Sequence, residues 1–219
     1  MTKRQVLLGF AAMSLSFASV MTARANMFSE AQYQVGTATI TIEGWGSANG
    51  TAFITLNSIP DIVFAGLFQI DPPQQSTSYA ACVDLQNFVS FGNDYTYQVW
   101  YAYGRAGALA ALYDSINWND ADEAVGFQLA LWELVYDSYN NPLNDNLFAG
   151  NFTVTSPAGA ISKAQLFLSQ AQVPAPYFYL RAEGEQQDLI LVPYVPEPAS
   201  LLALGVGVAG VALRRRRRA

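Results

Sequence analysis

The 219 residues carry 11 basic and 17 acidic side chains and no histidine, which excludes Ser-His-Asp and Cys-His catalysis and every histidine metal site. Eight of the basic residues lie near the ends, at Lys3, Arg4, Arg24 and 214–218. Between Asn26 and Tyr194, Arg105, Lys163 and Arg181 alone face sixteen acids (all but Glu197), a net charge near −13. Such a surface repels nucleic acid and anionic polymers unless a cation bridges them, and it favours neutral, cationic or reactive partners.

In chain order, Lys3 and Arg4 precede an apolar run from Val6 to Met21, followed by Ala23-Arg24-Ala25 with small residues at the two positions a signal peptidase inspects. Residues 1–25 therefore read as a signal peptide, with the mature chain starting at Asn26. Ser14, Ser16 and Ser19 dilute the run, which is short for a bilayer span. Residues 26–194 suit a single core, and neither an internal repeat nor a low-complexity linker divides them.

The first half of this domain has strand chemistry. Gln34–Glu43, Ala52–Leu56, Ile62–Ile70, Tyr79–Leu85 and Tyr95–Tyr101 are rich in β-branched and aromatic residues, with turn signals at Gly44-Trp45-Gly46, Asn49-Gly50, Asp71-Pro72-Pro73 and Gly92-Asn93-Asp94. The period then changes. Arg105–Ile116, Asp122–Tyr136 and Pro157–Gln172 read as helices, the last with Ser156 as N-cap and Pro157 in its first turn. Tyr177–Arg181 and Leu189–Val195 return to strand. The pattern predicts an α+β fold, a mostly antiparallel β part with a helical insertion.

In the middle helix, Asp120 and Glu123 form a capping box. Val125, Leu129, Trp132 and Tyr136 make one stripe at helical spacing, and Ala124, Gln128, Leu131 and Val135 make the next. Gln128 thus sits on or beside the buried face, one turn before Trp132, where it must find hydrogen-bond partners or be consumed chemically.

The chain's end has its own logic. Val195-Pro196-Glu197-Pro198-Ala199-Ser200 leads into an apolar stretch, Leu201–Leu213, closed by Arg214, Arg215, Arg216, Arg217 and Arg218. The arginines orient the segment with its terminus inside, and their stems can snorkel to lengthen a short span. Residues 195–219 resemble the PEP-CTERM sorting signal of Gram-negative bacteria. That resemblance implies processing by signal peptidase and exosortase, with cleavage near Pro196 to Pro198. It also implies transient anchoring in the inner membrane through the C-terminal segment alone, then delivery to the cell surface or extracellular matrix.

Cys82 is the single cysteine. On an exported chain it has no intrachain disulfide partner, which leaves burial, an intermolecular bridge or reaction with another group. If its thiol meets the Gln128 carbonyl, attack with loss of ammonia leaves an internal thioester, kept from hydrolysis by packing that Phe127, Leu131 and Trp132 could supply. An amine on a target would open it, forming an amide to Gln128 and freeing the thiol. The segment Gly107–Asp137, with Ala-Leu-Ala-Ala-Leu-Tyr and then Phe-Gln-Leu-Ala-Leu-Trp-Glu-Leu, resembles the thioester domains of bacterial surface adhesins. In that family a glutamine followed by an aliphatic residue and tryptophan supplies the acyl group, matching Gln128, Leu131 and Trp132. Cys82-Val83-Asp84 matches the cysteine motif in part, with Ala81 at the usual aromatic position and Tyr79 two residues further back. The resemblance implies a β part and a helical part with the thioester at their interface, and covalent capture of an amine-bearing surface or matrix target.

A lone cysteine is equally at home as a small buried apolar residue, and a glutamine beside a tryptophan stripe as a hydrogen-bonded core amide. The alternative is then a non-covalent structural component of the exopolysaccharide matrix. Neither reading is enzymatic. The carboxylate pairs Asp120/Asp122 and Glu183/Glu185 sit at a helix start and in a polar loop, where capping and solvation account for them. The Asp-rich segment Asp114–Glu123 lacks an ordered Ca²⁺-ligand repeat, so neither cofactor nor metal is expected.

Overall fold

β-branched and aromatic residues suit a pleated, half-buried surface, and in the computed structural model, which describes residues 30–71, 78–137 and 144–192, they form nine strands. These are β1 (Ala31–Trp45), β2 (Gly50–Leu56), β3 (Ile59–Ala65), β4 (Phe68–Asp71), β5 (Ser78–Cys82), β6 (Asn93–Gly104), β7 (Phe152–Ser156), β8 (Ala175–Ala182) and β9 (Leu189–Val192). The helices are α1 (Arg105–Ala110), α2 (Ala121–Tyr136) and α3 (Ala158–Gln170). The expected signal peptide, 1–25, and sorting segment, 195–219, lie outside the described residues.

Six strands close a barrel in the order β1-β4-β5-β9-β8-β6, and every neighbouring pair is antiparallel. Closure comes from β6, which pairs with β1 from Ala31↔Ala102 to Ile42↔Asn93 and, on its other side, with β8 from Tyr97↔Ala182 to Gly104↔Ala175. A second sheet, β3-β2-β7, carries a two-residue hairpin at Asn57 and Ser58, both at positive φ, which matches the twist of β2 and β3. Helix α2 packs against α1, α3 and this second sheet.

The α+β expectation with a helical insertion is therefore corrected. The fold is a barrel-like, mostly antiparallel β structure with helices packed on it. Four of the early strands, β1, β4, β5 and β6, belong to one closed sheet with the two late ones, β8 and β9. Their joining rests on pairings that no local periodicity encodes, such as Cys82 with Leu189. Consequently Cys82 and Gln128 do not lie between a β part and a separate helical part. They lie between one barrel strand and the central helix.

Several boundaries also differ. The run 62–70 is broken into β3 and β4 at Gly66, whose φ of 150° only glycine adopts readily. The first helix ends at Ala110, with a 3₁₀ turn at Tyr113–Ser115. Residues 152–156, where Phe152 and Val154 point inward, form a strand absent from the sequence reading. Ser156 closes that strand and does not cap α3, whose N-cap is Pro157. Asp120 does cap α2, accepting from the Asp122 N–H, but Glu123 reaches the Asn117 N–H and Lys163 and leaves the second half of the capping box unmade.

One end of the barrel is tied by Glu30. Its carboxylate is buried beside Gly104, accepts the Tyr177 hydroxyl and meets the Arg105 main chain. Burial pushes the Glu30 carboxyl up to about 7 in spite of these bonds and of the Arg105 charge. Between about pH 4.5 and 7 the folded state thus holds a proton that the unfolded chain releases, and stability falls as pH rises through that window. Urea unfolding should show a loss of roughly 2–3 kcal/mol between pH 5 and 8 attributable to this group. Glu30→Gln should flatten that slope, and an unchanged slope in the variant would refute the assignment.

Candidate functional site

Every residue of α2 from Ala124 to Tyr136 is buried, so this helix is apolar nearly all round, as suits an element enclosed on all sides. Gln128, at its centre, has no solvent exposure. A buried primary amide has four hydrogen-bonding positions to satisfy, and it finds its partners on Cys82. The Cys82 N–H donates to Gln128 Oε1 at 3.2 Å, and Gln128 Nε2 donates to the Cys82 carbonyl at 2.6 Å.

The register of the barrel explains this pairing. Backbone groups of an antiparallel strand face its two neighbours alternately. The Val83 N–H bonds the Asp188 carbonyl on the β9 side, so Cys82 faces the β4 side. β4 begins at Phe68, opposite Ala80, and the chain before it turns away at Gly66. Cys82 therefore extends past the last pairing with β4. The side-chain amide of Gln128 takes the position that a neighbouring strand's peptide group would hold.

The thiol is 4% exposed and donates to the Asp84 carbonyl at 2.9 Å. Burial holds its pKa well above the ordinary cysteine value, and the nearby Asp84 carboxylate adds to the rise. Two smaller effects work in the other direction, a neighbouring ring and a main-chain hydrogen bond with Asp84. The Trp132 indole N–H, which finds no acceptor in good geometry among the described residues, bears on the sulfur and favours its anion. The buried Tyr97 hydroxyl likewise has no hydrogen-bond partner among them and is pushed up by burial and by Asp188.

The expected shielding residues are all buried. Phe127 closes one flank as the last ring of a row from β5 to α2: Tyr79 stacks on Tyr113, Tyr113 on Trp118, and Trp118 meets Phe127 edge-on at 5.2 Å. Trp132 packs edge-on against Phe152 at 6.3 Å, and Leu131 is fully enclosed. Tyr79, at its offset from the cysteine, contributes to this row.

Sequence reading missed the polar surround. The Asp84 carboxylate accepts the N–H groups of Gln86 and Asn87, an Asx-type turn whose signal was legible in Asp-Leu-Gln-Asn. Gln187 donates to the same Asp84 carbonyl that receives the thiol hydrogen, at 3.2 Å. Asp188 accepts the Tyr179 hydroxyl at 2.6 Å and the Ala182 N–H at 2.7 Å. Nothing local to Gln187 or Asp188 in the sequence tied them to residue 82.

Asp120 caps α2, and Glu123 pairs with Lys163 at 2.7 Å, which lowers the Glu123 pKa and raises that of Lys163. Among the described residues no group of three or more His, Cys, Asp or Glu side chains is arranged to hold a metal, and no helix is long and apolar enough to cross a membrane.

Residues 195–217 match the PEP-CTERM protein-sorting motif. The protein is exported and targeted to exosortase, and the sorting residues Val195, Pro196, Glu197 and Pro198, with Arg214–Arg217 of the arginine cluster, fall within the match. It spans the tail only. No curated protein and no solved structure matches the chain.

The amide has a measurable energetic role whatever its chemistry. In a Cys82→Ala background, where no thioester can form, Gln128→Leu would leave the residue-82 N–H and carbonyl buried and unpaired. Each orphaned group costs about 1–3 kcal/mol. Urea unfolding should show a loss of about 2–5 kcal/mol relative to Cys82→Ala alone, and a loss below 1 kcal/mol would mean that the amide is not holding this edge.

Proposed function

We propose that this exported, exosortase-processed protein captures an amine-bearing partner covalently through an internal thioester between Cys82 and Gln128. The observation that carries the reading is that one residue offers both the nucleophile and a polarising donor. The Cys82 N–H bonds the oxygen of the very carbonyl that its thiol would attack, as a donor of an oxyanion hole does. The Gln128 nitrogen, the leaving group, is held by the Cys82 carbonyl.

The Cys82 thiol adds to the Gln128 carbonyl carbon, the carbon–nitrogen bond breaks, and the thiol proton leaves with the nitrogen as ammonia. The Trp132 indole N–H favours the sulfur anion on the way. Phe127, Leu131 and Trp132, all buried on the same helix as Gln128, are the residues assigned to shield the resulting acyl group. A primary amine then displaces the sulfur, giving an amide at Gln128 and returning the proton to Cys82. The event occurs once per molecule, without turnover. With no histidine in the chain, direct attack by an amine is favoured over attack by a hydroxyl, which needs a general base.

A second reading has an observation of its own. The paired hydrogen bonds satisfy the exposed edge of β5, and an inert Gln128 that only completes the sheet would suit a non-covalent matrix component. Intact mass separates the two. The purified domain 26–194, never exposed to amines, should be lighter by one ammonia than its sequence requires. Cys82→Ala should have its full mass, and methylamine should add to the wild type at Gln128 with release of one titratable thiol. A full wild-type mass with a free thiol in folded protein would leave the inert reading.

A further inference from the structure

The three residues after Cys82 lead into a loop, and that loop walls a cleft. Leu85, Phe88, Val89 and Phe91 form one side of a cavity of about 280 Å³, and Asp61 to Phe64 of β3 form the other. Trp45 and Phe68 complete a ring cluster with Phe91: Trp45 stacks on Phe68 at 5.2 Å and meets Phe91 edge-on at 5.6 Å. The walls are unusually bare. Phe88 is 79% exposed and Phe64 67%, a contiguous apolar surface of the kind that marks a binding site.

Two residues of this cleft lead to the buried pair. Trp132 lines it and lies one helical turn after Gln128 on α2. Gln187 lines it and shares the Asp84 carbonyl with the thiol. The cleft is thus one indole ring and one side-chain amide away from the proposed thioester.

We propose that this cleft is the approach route of the captured amine and that its occupant is a lysine side chain of a polypeptide partner. The inference rests on the covalent reading above. Aromatic and aliphatic walls suit the four-methylene stem of lysine, and aromatic ring faces attract an ammonium. Among the described residues that line the cleft the one charged residue is Asp61, and Arg105, Lys163 and Arg181 are not among them. The domain's net charge near −13 draws cations toward it. An amino sugar carries its amine directly on a polar ring and has no apolar stem to place against Phe64 and Phe88.

Binding can be read without the thioester. Cys82→Ala protein, with its tryptophan indoles observed by NMR, is titrated with Nα-acetyl-lysine N-methylamide, the norleucine analogue and glucosamine. The lysine compound should saturate the Trp45 signal, with the norleucine and glucosamine compounds at least five-fold weaker. Asp61→Asn should weaken lysine binding about two- to five-fold. Equal affinity for norleucine, preference for glucosamine, or no shift of Trp45 would overturn the lysine site.

Wild-type protein then supplies the second arm. Asp61→Asn should slow acylation of the lysine compound by a similar factor and leave the reaction with methylamine, which has no stem, unchanged. Equal slowing of both would overturn the delivery role. A full mass in the unreacted wild type would instead sink the thioester reading and delivery with it, and the titration of Cys82→Ala identifies that failure as separate from failure of the site.

Discussion

The two hydrogen bonds between the Gln128 amide and the main chain of Cys82 join a barrel strand directly to the central helix. Both residues are enclosed, one on a barrel strand and one at the centre of a helix, 46 positions apart. Each has a backbone or amide group that would be costly to bury alone, and each satisfies the other. The barrel can leave the β4-facing edge of β5 unpaired beyond Ala80 because a helix side chain completes it. The helix can bury a glutamine because a strand edge receives it.

Charge in the interior follows the same economy. Among the described residues four acids, Glu30, Asp84, Glu133 and Asp188, are buried, and Arg105 is the one buried base. Arg105 is spent on a bidentate pair with Asp145 and a bond to the Ala171 carbonyl. Asp84 and Asp188 are held by backbone N–H groups, an asparagine amide and a tyrosine hydroxyl. These donors help to hold a carboxylate inside the fold. Burial makes the thiol and the Tyr97 and Tyr179 hydroxyls harder to ionise, and the negative charge of these carboxylates adds to the effect on each. A thioester in this setting would form slowly from the thiol, and once formed it would carry no charge for Asp84 or Asp188 to oppose.

What the sequence disclosed follows from the range of each interaction. Helical spacing of Val125, Leu129 and Trp132 made the burial of Gln128 legible, since it depends only on neighbours one turn away. The lone thiol was legible by counting. Barrel closure was not, because β5 finds β9 more than a hundred residues later and alternation is the same for an open sheet and a closed one. The split of 62–70 turned on the backbone angle of Gly66, and composition does not report angles. Gln187 and Asp188 reach Cys82 only through that same closure, so the polar half of the site was hidden along with the barrel.

Protection and access impose opposite demands on any acylating group. Water must be kept from the acyl carbon for the lifetime of the protein, yet a target amine must reach it once. A tightly packed wall meets the first demand and fails the second, and an open polar cleft does the reverse. An apolar cleft ending on Trp132 separates the two by chemistry and not by size. Phe64, Phe68, Phe88 and Phe91 offer water no side-chain hydrogen bond, and the polar side chains of the cleft are few, Asp61 and Gln187 with the indoles of Trp45 and Trp132. A butyl stem gains from the same rings, and its ammonium can rest against Asp61 until the indole yields. Selectivity for an alkylamine over water then needs no histidine and no lid, only the aromatic composition of the loop that follows Cys82.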